Sequence, residues 1–162
     1  MYNFLSDCRT IEELASKIYQ QLAGNPSLEK EVRKTFQKLS NEERSHAQHL
    51  DLVLQAPAKE VEMVASVSRD KITDAKMLAE QLFYMVDRGG LNEEKALKMA
   101  VQMEEQFIKV HVHNSLHFYN KDVAKLFDKL RIEDQDHIDA LNDCLKWWRR
   151  RSKANSSSPV PE

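Results

Sequence analysis

Apolar residues recur at steps of three and four along most of this chain, a spacing that predicts helices with one buried face. Within residues 32–53 the buried face consists of Val32, Phe36, Leu39, Glu43, His46, Leu50 and Val53. Two members of this face, Glu43 and His46, are polar. The pattern therefore places a carboxylate and an imidazole where a helix normally turns apolar side chains towards the interior.

Turn-forming residues divide this pattern into five helices. The first ends at Gly24-Asn25-Pro26, and it begins either at the capping-box pattern Thr10-Ile11-Glu12-Glu13 or earlier, near Asn3. Asn92 is placed to cap the fourth helix, and Gly89-Gly90 to end the third. The remaining boundaries are predicted at about residues 27–55, 73–88, 92–119 and 121–151.

Short turns join the first two helices and the last two, so each pair is expected to form an antiparallel hairpin. A long crossover links the hairpins and contains a looser stretch, residues 57–70, followed by the additional helix. The predicted fold class is all-α, an antiparallel four-helix bundle, and the few glycines (3) and prolines (4) agree with it. Residues 1–151 form the bundle, and the polar tail 152–162 is expected to be disordered.

An internal repeat relates the two hairpins. Residues 35–50 (TFQKLSNEERSHAQHL) align without gaps to residues 126–141 (LFDKLRIEDQDHIDAL), and residues 11–19 align to residues 103–111. The alignment pairs the polar residues of the buried faces, namely Glu12 with Glu104, Glu43 with Asp134, and His46 with His137. Each hairpin therefore carries an acid on one helix, and an acid and a histidine three residues apart on the other.

Four carboxylates and two imidazoles would thus face the bundle interior, where no Lys or Arg shares their faces. Burying unpaired charges is costly, whereas two divalent cations would balance four carboxylates. An acid and a histidine at positions i and i+3 can bind one ion together. Oxygen and nitrogen donors without thiolate suit iron or manganese, and zinc can occupy such a site. The candidate metal ligands are Glu12, Glu43, His46, Glu104, Asp134 and His137.

The repeated signature resembles that of the ferritin-like di-iron carboxylate superfamily, in its rubrerythrin-like branch. That signature is a Glu, about thirty residues, and then Glu-x-x-His, all repeated, and the resemblance covers roughly residues 5–145. It implies a ferritin-like bundle that binds two iron ions. It also implies reaction of the ferrous ions with hydrogen peroxide or dioxygen, as in a rubrerythrin-like peroxide reductase or a ferroxidase.

The resemblance also implies a role for each candidate ligand. Glu43 and Asp134 would be bridging or shared carboxylates, and Glu12 and Glu104 terminal ligands. His46 and His137 would supply one imidazole to each metal. Asp134 stands where the family has Glu, so either Asp134 binds through its shorter side chain or Glu133 assists it; we favour Asp134, because Glu133 lies off the buried face.

Two further departures from rubrerythrins proper affect the expected activity. The family's second glutamate on the third bundle helix is replaced by Val101, and the four-cysteine rubredoxin domain is not seen in this sequence. A peroxidase of this kind would need electrons from an external donor protein. The alternatives are iron storage, delivery or metal sensing without turnover, and a degenerate bundle that keeps a buried polar network without metal.

Four other residues on the buried faces carry a polar group or a thiol. Tyr19 and His111 occupy matching positions of the repeat, two turns after Glu12 and Glu104. They are candidates for hydrogen bonding to a ligand, although core side chains with satisfied polar tips are the favoured interpretation. The thiols of Cys8 and Cys144 are expected to pack in the core.

Composition limits the partners. A net charge of -2 gives no electrostatic case for nucleic acid, and Trp147-Trp148-Arg149-Arg150-Arg151 is favoured as a helix end that packs on the bundle or a partner subunit. No membrane span or signal peptide is predicted, so a cytoplasmic protein is expected. A homodimer is the default assembly.

Overall fold

The computed structural model describes residues 2–56, 69–115 and 118–156. Within these ranges the chain forms five α-helices, and the prediction of an all-α fold is confirmed. In chain order they are α1 (Tyr2–Gly24), α2 (Lys30–Gln55), α3 (Arg69–Asp87), α4 (Glu93–Ser115) and α5 (Lys121–Ser156).

The helices form a four-helix bundle with one additional helix packed against it. The most extensive contacts join α1 to α2 and α4 to α5, which are the two predicted hairpins. Contacts between α2 and α5 bring the hairpins together, and α3 packs against α1 and α4. This is the ferritin-like architecture that the sequence predicts.

Local residue chemistry explains several helix ends. The side-chain Oδ1 of Asn92 accepts a hydrogen bond of 2.9 Å from the backbone N–H of Lys95, which confirms the predicted cap. Asn120 caps α5 by accepting from the N–H of Asp122 at 2.8 Å. Gly89 and Gly90 follow α3 with φ of 73° and 90°, a left-handed conformation that favours glycine.

The start of α1 decides between the two sequence-based alternatives. The helix already includes Tyr2, so Thr10 is not its cap and lies inside it instead. There the Thr10 hydroxyl donates to the carbonyl of Ser6 at 2.8 Å. Leu5 and Cys8, both buried in the core, extend the buried face in front of Thr10 and give the longer helix its packing.

Other boundaries differ from the prediction by a few residues. α3 begins earlier, at Arg69, and α4 ends earlier, at Ser115. α5 runs to Ser156, so the predicted boundary at residue 151 is too early. The rest of the looser connection, residues 57–68, and the rest of the tail, residues 157–162, lie outside the described residues.

Ion pairs connect the last part of α5 to the rest of the bundle. Arg149 lies 2.6 Å from Glu94 of α4, and Arg151 lies 2.9 Å from Glu29, just before α2. Trp147 and Trp148 are partly buried against the core. The predicted packing of this helix end on the bundle is therefore what the structure has, and none of the described helices could span a membrane.

Two serines set the spacing of the first hairpin. The hydroxyl of Ser16 donates to the carbonyl of Ser40, and the hydroxyl of Ser40 donates to the carbonyl of Ser16, both at 2.8 Å. Both serines are buried, and their small size lets α1 and α2 approach closely. Because Ser16 lies one turn after Glu12 and Ser40 one turn before Glu43, this contact fixes the relative height of the two acids.

Candidate metal centre

All six candidate ligands lie buried in the middle of the bundle. Glu12 comes from α1, Glu43 and His46 from α2, Glu104 from α4, and Asp134 and His137 from α5. The four carboxylates have no exposed surface, and the two histidines are 2% and 3% exposed. The tertiary fold therefore brings together polar residues that are up to 125 positions apart in the chain.

Glu43 lies between the two imidazoles of the cluster. Its Oε2 is 3.1 Å from Nδ1 of His46, the histidine one turn later on the same helix. Its Oε1 is 2.8 Å from Nδ1 of His137, on α5. One carboxylate thus offers a different oxygen to each histidine.

Two groups of three side chains share Glu43. One group is Glu12, Glu43 and His46, and the other is Glu43, Glu104 and His137; in each, the ligand atoms lie within 4.8 Å of one another. The outer acids complete the groups, with Glu12 Oε2 3.4 Å from Nδ1 of His46 and Glu104 Oε2 3.6 Å from Nδ1 of His137. Each group combines two carboxylates with one imidazole around one point of the core.

Two acids that were not predicted as partners of the histidines lie beside the outer nitrogens, one acid at each ring. Glu133 Oε2 lies 3.2 Å from Nε2 of His46, and Glu42 Oε2 lies 3.3 Å from Nε2 of His137. Glu42 and Glu133 match each other in the repeat, and each contacts the histidine of the opposite hairpin. The alignment of Glu42 with Glu133 in the repeat could have identified these two acids. Their contacts with the opposite hairpins, however, are visible only in the packing of the helices. Such outer carboxylates orient imidazoles that bind metal through the other nitrogen.

Tyr19 and His111 also make crossed contacts. The Tyr19 hydroxyl of α1 donates a hydrogen bond to Oε1 of Glu104 on α4. His111 of α4 places Nε2 3.1 Å from Oε1 of Glu12 on α1. Both side chains are fully buried, as core residues would be, and the partners of their polar tips are candidate ligands.

The crowded acids change the proton affinity of the cluster. Burial raises the pKa of Glu43 well above its usual range, and the charges of Glu104 and Glu12 add to this effect. Burial acts in the same direction on Glu12, but the nearby Glu43 carboxyl and the imidazoles of His111 and His46 hold the pKa of Glu12 well below its usual range. Burial opposes the protonation of His46 and His137, yet the charge of Glu43 raises their pKa values to about 11 and about 12.

The same physics applies at the other end of the cluster. Burial opposes the protonation of His111, but the charge of Asp134 raises its pKa to about 10. Burial raises the pKa of Asp134 to about 6, against the charge of His111. Burial and the charge of Glu104 raise the pKa of Tyr19, so its hydroxyl stays protonated and donates. The cluster as a whole therefore attracts positive charge, whether as protons or as metal.

Several buried polar atoms of the cluster have no hydrogen-bond partner within the part of the chain that the structure describes. They are both oxygens of Glu12, Oε1 of Glu43, Oε2 of Glu104, Nε2 of His111, Oε2 of Glu133, Oδ1 of Asp134 and Nδ1 of His137. Some of these atoms lie close together, such as Oε1 of Glu43 and Nδ1 of His137, without the alignment of a hydrogen bond. Unpaired buried polar atoms are unfavourable. Oxygen and imidazole donors in this number fit divalent cations such as iron.

A family model for rubrerythrin matches residues 3–145, which contain every candidate ligand. The chain belongs to the rubrerythrin family. No curated protein and no solved structure matches it. Membership of the family, together with the buried Glu and His cluster, indicates a metal-binding site in the core of this rubrerythrin-family chain.

The position of Asp134 differs from that of Glu43, its match in the repeat. Asp134 is fully buried, but it belongs to neither group of three, and its Oδ2 contacts Nδ1 of His111 at 2.6 Å. Glu133 does not replace it, because the Glu133 carboxylate faces the outer nitrogen of His46. The two halves of the cluster are therefore related but not equivalent.

Val101, the other substituted position of the family pattern, and the two cysteines belong to the apolar part of the bundle. Val101 is partly buried and packs against the hydrophobic core. Cys8 and Cys144 are buried free thiols, as predicted for core packing. Burial raises the pKa of both thiols, which disfavours the reactive thiolate form.

Proposed function

We propose that this rubrerythrin-family protein binds two ferrous ions in the core of its bundle and oxidises them with hydrogen peroxide or dioxygen. It would act as a rubrerythrin-like peroxide reductase or as a ferroxidase. The observation that carries the proposal is the place of Glu43 between Nδ1 of His46 and Nδ1 of His137, with a further acid beside each imidazole.

In this proposal, Glu43 would hold both ions. Glu12 and His46 would hold one ion, Glu104 and His137 would hold the other, and Asp134 would contribute from α5. Charge supports the arrangement, because two divalent cations balance four carboxylates in number. When bound, the ferrous pair supplies one electron from each iron, which together with two protons convert one hydrogen peroxide molecule into two molecules of water.

The surrounding residues orient the ligands. Oε2 of Glu133 lies 3.2 Å from Nε2 of His46, and Oε2 of Glu42 lies 3.3 Å from Nε2 of His137. In this proposal the two acids would keep a proton on each Nε2 and leave each Nδ1 free to hold an ion. Tyr19 donates to Oε1 of Glu104 and leaves Oε2 of that acid facing His137.

Three described clefts of the bundle lie apart from the candidate ligands. A cleft of about 370 Å³ lies between α1 and α2, and two others of about 250 Å³ lie elsewhere on the bundle. None of the residues that line these three clefts is a candidate ligand. We propose a small oxidant of two oxygen atoms because the four carboxylates of the cluster are fully buried. The proposal includes an external electron donor protein for peroxide reduction, and a homodimer as the assembly.

An anaerobic titration of metal-stripped protein with ferrous ion tests the site. We expect binding to saturate at two ions per chain, and we expect Glu104→Gln to lose one of them. Glu105→Gln is the matched control, because Glu105 is the next residue on α4 and is exposed. Saturation at one ion in the wild type, or no saturable binding, would contradict a dinuclear site.

Rapid mixing of the loaded protein with peroxide or dioxygen then tests the activity. Fast oxidation followed by re-reduction with a chemical donor supports an oxidoreductase. Slow oxidation with the iron retained supports the rival function of iron storage, delivery or sensing, and overturns the proposed turnover.

A further inference from the structure

Asp134 and Glu43 match in the repeat but use their oxygens differently. Glu43 presents one oxygen to His46 and the other to His137. Asp134 is shorter by one methylene, and its Oδ2 is hydrogen-bonded to Nδ1 of His111 at 2.6 Å. Its Oδ1 is buried and has no hydrogen-bond partner among the described residues. One oxygen of Asp134 is therefore held, and one is unused.

His111 and Tyr19 also match in the repeat, and they differ in the number of polar atoms they carry. The single hydroxyl of Tyr19 contacts the terminal acid of the other hairpin, Glu104. Nε2 of His111 makes the equivalent contact, at 3.1 Å from Glu12. The imidazole has a second nitrogen, and that nitrogen reaches Asp134. The two halves of the repeat differ at both positions, with His111 in place of Tyr and Asp134 in place of Glu. These two differing residues are in direct contact.

Packing fixes the imidazole of His111 in this position. The side chain has no exposed surface. The ring of Phe127 on α5 packs edge-on against this imidazole, with 5.8 Å between the ring centroids and 66° between the planes. A ring held in this way presents both nitrogens to the cluster at fixed positions.

We propose that His111 is a positioning residue that holds Asp134 through Oδ2 and leaves Oδ1 as the only metal-binding oxygen of that side chain. With His111 holding it in place, the shorter side chain of Asp134 would bind metal at the position where the family has a glutamate. Asp134 would bind one ion through one oxygen, and Glu43 alone would bridge. This inference rests on the proposed metal centre and assigns a role within it.

Cobalt(II) binding to metal-stripped protein tests the pair without any measurement of activity. The visible absorption of cobalt(II) reports the number and type of its ligands, and calorimetry gives the affinity of each ion. His111→Phe removes both nitrogens and keeps a ring of similar size. We expect it to weaken one of the two ions about 10- to 100-fold, to change the spectrum of that ion, and to leave the other ion unchanged.

Two further variants make the result specific. His111→Asn keeps a donor near the position of Nδ1, so we expect an affinity within a few-fold of the wild type. In the double variant His111→Phe with Asp134→Glu, the longer acid reaches the metal unaided, so we expect the lost affinity to return. Circular dichroism establishes that each variant is folded, and His111→Asn remains informative if His111→Phe does not fold.

The outcomes separate this inference from the proposed function. If the wild type binds no cobalt(II), the metal centre itself is wrong. If the wild type binds two ions and His111→Phe binds them with unchanged affinity and spectrum, the metal centre stands and the positioning role is wrong. Failure of Asp134→Glu to restore binding in the double variant also overturns the pairing.

Discussion

The imidazole rings of His46 and His137 are stacked in the middle of the bundle, with 5.5 Å between their centroids and 15° between their planes. The two histidines match in the internal repeat, and their surroundings match as well. Each ring directs Nδ1 towards Glu43 and Nε2 towards an acid of the opposite hairpin. The repeat in the sequence thus corresponds to an approximate two-fold relationship in space.

The shared position of Glu43 predicts that its loss affects both ions. In Glu43→Gln the amide keeps the shape of the side chain but not its charge, so we expect both ions to bind at least 10-fold more weakly. Glu12→Gln, in contrast, is expected to weaken only the ion beside His46. Calorimetric titration of both variants gives the affinities, and normal binding of two ions by Glu43→Gln would falsify the bridging assignment.

The crossed contacts predict that Glu42 and Glu133 act on opposite ions. Glu42→Gln is expected to weaken the ion bound by His137, and Glu133→Gln the ion bound by His46, each by about 10- to 100-fold. The reason is that a neutral amide orients and polarises the imidazole less strongly than a carboxylate. Cobalt(II) spectra of each variant identify the affected ion. Exposed Glu105→Gln serves as the control. A weaker ion at His46 in Glu42→Gln, or at His137 in Glu133→Gln, would contradict the crossed arrangement.

The raised histidine pKa values predict how the stability of metal-stripped protein depends on pH. The usual pKa of histidine is 6.5, whereas in the folded chain it is about 10 for His111, about 11 for His46 and about 12 for His137. A raised folded-state pKa stabilises the fold fully below pH 6.5, and this stabilisation is lost as pH rises towards 10 and beyond.

Urea unfolding between pH 6.5 and pH 10 measures this loss directly. We expect the free energy of unfolding of the stripped protein to fall steadily over this range. Metal affinity is expected to rise over the same range, because bound protons compete with the ions. A free energy of unfolding that increases with pH would show that the three imidazoles are not protonated in the folded protein.

Metal binding is expected to stabilise the bundle against heat, because the sites require the folded packing of four helices. At a free ion concentration 100 times the dissociation constant, one site adds about 2.7 kcal/mol. A domain of this size gains roughly 2 to 4 °C in Tm per kcal/mol, so a rise of about 5 to 11 °C per site is expected. Scanning calorimetry with ferrous ion under nitrogen, and again after chelation, measures the rise, and an unchanged Tm would contradict metal binding to the fold.

The amino-acid sequence is sufficient to predict which residues share a buried face. Helical periodicity depends only on the 3.6-residue turn, so the polar positions of Glu12, Glu43, Glu104 and Asp134 within apolar faces are visible without coordinates. The repeat doubled this signal, and the resemblance that followed from it agrees with the family of the chain. The ends of α1 and α5 were harder to predict, because they depend on packing and ion pairs with other helices.

Which polar atoms contact one another depends on how the helices pack. The contact of Glu133 with His46 rather than with the cluster, and that of His111 with Asp134, join residues of different helices. Such contacts depend on the rotation and relative height of neighbouring helices, which are set by how whole faces pack. A periodic pattern records the direction of each side chain from its own helix axis, but not the position of the helix beside it. The sequence therefore determined the members of the cluster, and the packing of the hairpins decided their partners.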